Sequence, residues 1–96
     1  MHRYFVNLRI DNVLACVPRG SSARKGGFLA ARDVDAENEI IAGSIAKQEV
    51  LADPLFSSRI KNTKEDPVVI SIEQIVAVEK PTEAKRAIGY AWFSEP

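Results

Sequence analysis

Three cations and three glycines fall within ten residues, Pro18 to Gly27 (PRGSSARKGG), with an apolar run on either side. Arg19, Arg24 and Lys25 could meet phosphate or carboxylate groups there, as could Arg3 and Arg9 in the segment before. A phosphate loop of the Walker type needs Gly-Lys-Ser/Thr leading into a helix, so that backbone amides and the helix end converge on the anion. Here Lys25 precedes Gly26, and the pattern that follows is that of a strand. The nucleotide-loop reading fails on both counts. What remains is a flexible basic loop, favoured as a solvated connector, with ordering against an acidic surface as the alternative.

The other chemistry-bearing residues are sparse. His2 is the only histidine and stands at the terminus with no Cys or second His at ligand spacing, which argues against zinc and against a Ser-His-Asp or Cys-His mechanism. Cys16, between Ala15 and Val17, reads as a buried, inert thiol. Asp33, Asp35, Glu37 and Glu39 span a strand end and a helix start, where the two periodicities send them in different directions. No cofactor, metal or catalytic group is therefore expected, and the chain reads as non-catalytic.

The elements that would position these residues follow from hydrophobic periodicity. Arg3 to Ile10 alternates strictly, with Tyr4, Val6, Leu8 and Ile10 on one face and Arg3, Phe5, Asn7 and Arg9 on the other. Asp11-Asn12 fits a tight turn or a bulge before a second short run, Val13 to Val17. Phe28 to Val34 reads as a strand. A helix is expected from about Ala36 to Ala52, capped by Asp35 and ended before Pro54, with Ile41, Ile45 and Ala52 along one side. Ile40 and Leu51 lie well off that line, so the helix is apolar on two sides. Leu55, Phe56 and Ile60 need cover beyond it, and 61–67 is a polar loop. Val68 to Val78 alternates again, with a parity break at Gln74-Ile75 that fits a bulge. Pro81 to Arg86 reads as a hairpin connection into a last strand, Ala87 to Phe93, with Ile88, Tyr90 and Trp92 on one face.

This order predicts a two-layer α+β fold: an antiparallel sheet of four to five strands, in a strand-pair, helix, strand-pair arrangement, with one main helix on one face. The 96 residues suit a single domain, 1–96. No run is long and apolar enough to cross a bilayer, the N-terminus lacks a signal-peptide pattern, and one cysteine permits no internal disulfide. A soluble protein of the reducing cytoplasm is expected. Thirteen basic residues balance thirteen acidic ones, but unevenly: residues 1–32 hold six Lys/Arg against Asp11 alone, and 33–96 hold seven against twelve acids.

Tyr4-Phe5-Val6-Asn7-Leu8, Gly27 to Ala36, Pro67 with Val68 to Val78, and Gly89-Tyr90-Ala91-Trp92-Phe93 together resemble a group of small bacterial proteins of unassigned function built as strand pair, helix, strand pair. The resemblance implies that fold and a bacterial source, and it assigns no functional residue.

The function expected is that of a protein-interaction module that self-associates, with Phe5, Ile40 and Leu51 as candidate contacts and a second copy or another protein as partner. RNA or DNA binding is the alternative, through the basic N-terminal third and the 18–27 loop, with Arg3, Arg9, Arg19, Arg24 and Lys25 as anion contacts. Parity weighs against it, because Tyr4, Tyr90 and Trp92 fall with the core residues rather than on a face that could stack bases.

Overall fold

Alternation at the N-terminus continues further than the sequence pattern suggests. The computed structural model describes residues 1–95. In it one strand, β1, runs from His2 to Ala15, absorbing the short second run. Asn12 takes a left-handed conformation (φ 57°), which Asn tolerates better than most residues. It marks a bulge: three steps on β1, Ile10 to Val13, face two on β2, Phe28 to Gly26. The extra residue switches parity, so Val13 and Ala15 enter the same core as Tyr4, Val6, Leu8 and Ile10. The 61–67 loop closes over this bulge. Asn12 Nδ2 donates to Asp66 Oδ1 (2.7 Å), Asn62 Nδ2 donates to the Asn12 carbonyl (2.8 Å), and the Leu14 amide donates to Asn62 Oδ1 (2.8 Å).

Four strands form one antiparallel sheet: β1, β2 (Arg24–Ala36), β3 (Val69–Ala77) and β4 (Ala87–Ser94), in the order β3-β1-β2-β4. The expected second hairpin is absent, because β3 and β4 lie on opposite edges and residues 78–86 cross the end of the sheet between them. There the Val78 amide donates to the Arg3 carbonyl and the Asp33 amide to the Arg86 carbonyl. The bulge expected in β3 occurs, with Glu73 unpaired between Ile72, opposite Leu8, and Gln74, opposite Asn7. A further bulge in β4, between Ile88 (opposite Ala31) and Ala91 (opposite Leu29), moves Ile88 off the face that Tyr90 and Trp92 share.

The helix starts later than expected. β2 continues through Ala36, Asp35 pairs with Arg3, and Asn38 caps α1 (Glu39–Ala52), its side chain accepting from the Ile41 amide at 3.0 Å. A one-turn helix, α2 (Pro54–Ser57), follows, with Asp53 capping it through the Leu55 amide. The buried face of α1 is Ala42, Gly43, Ala46 and Val50, with Ile45 packed at its margin, while Ile41 and Ala52 of the expected line are exposed. Small residues let the helix axis approach closely: a Cβ on Gly43 would stand 2.3 Å from Ile72 Cδ1. The larger apolar residues are turned outward, Ile40 being 86% exposed and Leu51 55%. Tyr4 lies in the core, and Tyr90 and Trp92 pack against it, around Phe28 and Phe56. No helix is long and apolar enough to cross a membrane.

Two glycines of β2 admit the edge strand's aromatic rings. Trp92 crosses Gly26 and Phe93 crosses Gly27. At Gly27 an added Cβ would also stand 2.3 Å from the Ile10 carbonyl oxygen, backbone that cannot swing aside. Gly27→Ala is therefore expected to destabilise the fold by about 1–3 kcal/mol. Gly43→Ala meets only the tip of an isoleucine and gains roughly 1 kcal/mol of helix propensity, so its net effect is expected within about 1 kcal/mol of zero. Urea unfolding of the two variants checks the contrast.

Candidate interaction surface

Because α1 and α2 lie on one side, the other sheet face has no second layer. The register lays it out in rows across the strands: Val76, Phe5 and Asp33; then Gln74, Asn7, Ala31 and Ile88; then Ser71, Arg9, Leu29 and Ala91. Three apolar side chains on it are exposed: Leu29 (46%) on the inner strand β2, and Val76 (44%) and Ile88 (54%) on the opposite edge strands β3 and β4.

The two aromatic rings on this face are each covered by a guanidinium that is itself held by a carboxylate. Arg86 lies 4.4 Å from the Phe5 ring centre and Arg9 lies 4.6 Å from that of Phe93. Arg86 Nε and Nη2 donate to the two oxygens of Asp33 (2.9 and 3.0 Å), and the Arg86 amide adds a third bond at 2.8 Å. Asp33 is 4% exposed, and these bonds hold its carboxyl below the usual carboxylate range. Arg9 Nε donates to Asp11 at 2.9 Å.

The cations expected to contact an anion are mostly occupied. Arg3 Nε donates to Asp35 Oδ1 (2.8 Å) and its side chain is nearly buried, so it is no surface contact. Lys25 belongs to β2 and donates to Asn12 and Asp66. Arg24, also in β2, donates to the Val17 carbonyl (2.6 Å) and lies over Trp92. Arg19 alone of the five has neither a hydrogen-bond nor an ion-pair partner among the described residues. The loop itself is tied by a turn in which the Ser21 amide and hydroxyl both donate to the Pro18 carbonyl. The five cations thus make no shared patch.

The candidate self-association residues are likewise divided. Phe5 lies on the open sheet face, whereas Ile40 and Leu51 lie on the outer side of α1, in the opposite layer. Of the exposed apolar residues on the open face, Leu29, Val76 and Ile88, alternation in the sequence groups Val76 with Ile70 and Ile72, and Ile88 with Tyr90 and Trp92, on the core side instead. Parity against Phe28 and Ala30 places Leu29 there, but Ile88 needs the β4 bulge, which no residue pattern announces. Among the described residues no group of three or more His, Cys, Asp or Glu could hold a metal ion. Comparison with family models, curated proteins and solved structures returns no match for this chain.

Ion pairing sets the acid response. Asp33, Asp35, Asp53 and Asp66 all have carboxyls held below their ordinary value by hydrogen bonds, from Arg86, Arg3, Tyr90 and Lys25 respectively. Their contribution to stability is complete above the unfolded value, about 4, and is lost as pH falls through the lower folded values. Thermal unfolding is expected at progressively lower temperature below about pH 4. Asp33→Asn is expected to unfold at lower temperature at pH 7 and to show a shallower acid decline than the parent chain.

Proposed function

We propose that this chain is a non-catalytic interaction module that pairs with a second copy of itself through the open sheet face. The observation that carries the reading is the set of exposed apolar side chains, Leu29, Val76 and Ile88, spread across a sheet face with no covering layer. An antiparallel sheet faces water comfortably only when that face is polar. Here Leu29, Val76 and Ile88 are interspersed with Asn7, Arg9, Ser71 and Gln74, the mixed apolar and polar character of a non-obligate interface.

The dimensions suit a dimer. Four strands about 4.8 Å apart and 8–14 residues long at about 3.3 Å per residue give a face of roughly 600–800 Å². A stable interface takes about 800 Å² from each partner. The Arg9–Asp11 pair leaves both charge signs part-exposed on the face, so two copies related by a two-fold axis can set cation against anion. Two such sheets would stack about 10 Å apart as the halves of a sandwich. The single thiol, Cys16, suits a reducing compartment, and a bacterial cytoplasm is the proposed setting.

Nucleic-acid binding gains little from this arrangement. Its stacking rings, Phe5 and Phe93, are covered by arginines, and most of its cations are already neutralised.

Light scattering across a concentration series tests the reading. A monomer–dimer equilibrium is expected, moved at least tenfold toward monomer by Leu29→Glu and left in place by Ile40→Glu. A chain that stays monomeric at every concentration, or a dimer broken by Ile40→Glu and not by Leu29→Glu, would overturn it. Salt-sensitive retardation of RNA or DNA by the monomer would favour the alternative.

A further inference from the structure

On the helix side, between α2 and β4, lies a cavity of about 300 Å³, at the small end of the range in which proteins hold small molecules. Phe28, Phe56 and Tyr90 supply its aromatic lining, with ring centres 5.3–5.9 Å apart. Its polar groups are Arg32, Asp53, Tyr90 and Arg59.

The hydrogen bonds within the cavity leave a one-sided surplus. Asp53 Oδ2 accepts from Arg32 Nη2 (2.9 Å) and from the Tyr90 hydroxyl (2.6 Å), and Oδ1 accepts from the Leu55 amide (3.0 Å). Arg32 Nη2 also donates to the Tyr90 oxygen at 2.7 Å. Both carboxylate oxygens and the phenol are therefore engaged. Burial and the bond to Asp53 push the Tyr90 hydroxyl up to about 12, so it stays neutral. What is left over is donor capacity. Arg32 Nε is buried with no partner, and the Arg59 side chain is exposed at the cavity and has neither an ion-pair nor a hydrogen-bond partner among the described residues. Two guanidiniums against one carboxylate leave the lining with a net positive charge. Glu49 approaches Arg32 Nη1 at 3.9 Å but does not line the cavity.

We propose that this cavity binds a small aromatic carboxylate, its ring against Phe56 and Tyr90 and its carboxylate on the Arg59 guanidinium. A guanidinium presents paired donors in a plane that matches the two oxygens of a carboxylate, and an aromatic body meets neighbouring rings edge-on or offset. The site lies on the helix side and meets the proposed pairing surface only at Ile88, so occupancy is read through Arg59→Ala and self-association through Leu29→Glu.

The experiment is titration of the nitrogen-labelled protein with benzoate, phenylacetate and indole-3-acetate, followed by amide shifts, with benzyl alcohol and benzylamine as uncharged and cationic controls. At least one carboxylate is expected to give saturable, millimolar binding with shifts at Phe56, Gly89 and Tyr90, at least tenfold tighter than either control. Arg59→Ala, at an exposed position that leaves the fold intact, is expected to weaken it tenfold or more, and Arg59→Lys to restore part of the loss. The proposal is overturned if none of the three carboxylates gives saturable shifts, if a control binds as well, or if Arg59→Ala binds unchanged.

Discussion

A four-stranded sheet has two faces, and this chain supplies helices for only one of them. α1 follows β2 after a two-residue break and lies on the Tyr4-Val6-Leu8-Ile10 side, where its Ala42-Gly43-Ala46-Val50 stripe allows close approach. β1 sits in the middle of the sheet, paired on both edges, so its two faces divide the molecule. Everything apolar on the second face must then be covered from outside the chain or remain wet. Asn7, Arg9, Ser71 and Gln74 tolerate water; Leu29, Val76 and Ile88 do so at a cost that grows with the apolar area exposed.

The charged residues answer the same constraint. The lopsided distribution along the sequence does not become a basic face and an acidic face. Arg3 of the basic third meets Asp35, and Lys25 meets Asp66, so folding brings the two halves into register and cancels most of the imbalance locally. On the open face, carboxylate-held arginines lie over Phe5 and Phe93. Each aromatic ring keeps its area partly out of water without a second layer, and what is left bare is Leu29 on the inner strand with Val76 and Ile88 on the two edges. That is why the face reads as a pairing surface and not as a platform for bases.

Much of this was legible in residue order, and the rest was hidden for identifiable reasons. Period-two alternation marks β1, β2 and β3 plainly, and the inward parity of Tyr4, Tyr90 and Trp92 follows from it. The continuity of β1 through Asn12 was hidden because a left-handed residue reads as a turn whether the chain reverses or merely bulges. Sheet order was hidden because residues 78–86 resemble a hairpin connection, and composition does not say which edge a strand joins. The helix face is hidden because side-chain size does not track burial here. At a close helix–sheet contact it is alanine and glycine that go inside, and Ile40, Ile41 and Leu51 are displaced outward. Arg32 carries a usable signal in its position. It shares the core-facing parity of Phe28, Ala30 and Val34, and a cation there requires an acid, which Asp53 provides.

The most direct measurement is an isotope-filtered Overhauser experiment on a one-to-one mixture of labelled and unlabelled chains, which detects only contacts between different molecules. Self-pairing through the sheet predicts signals from the methyl groups of Leu29, Val76 and Ile88 to their counterparts on the second copy. Signals arising instead from Ile40 and Leu51, or none at concentrations where the protein is associated, would contradict it.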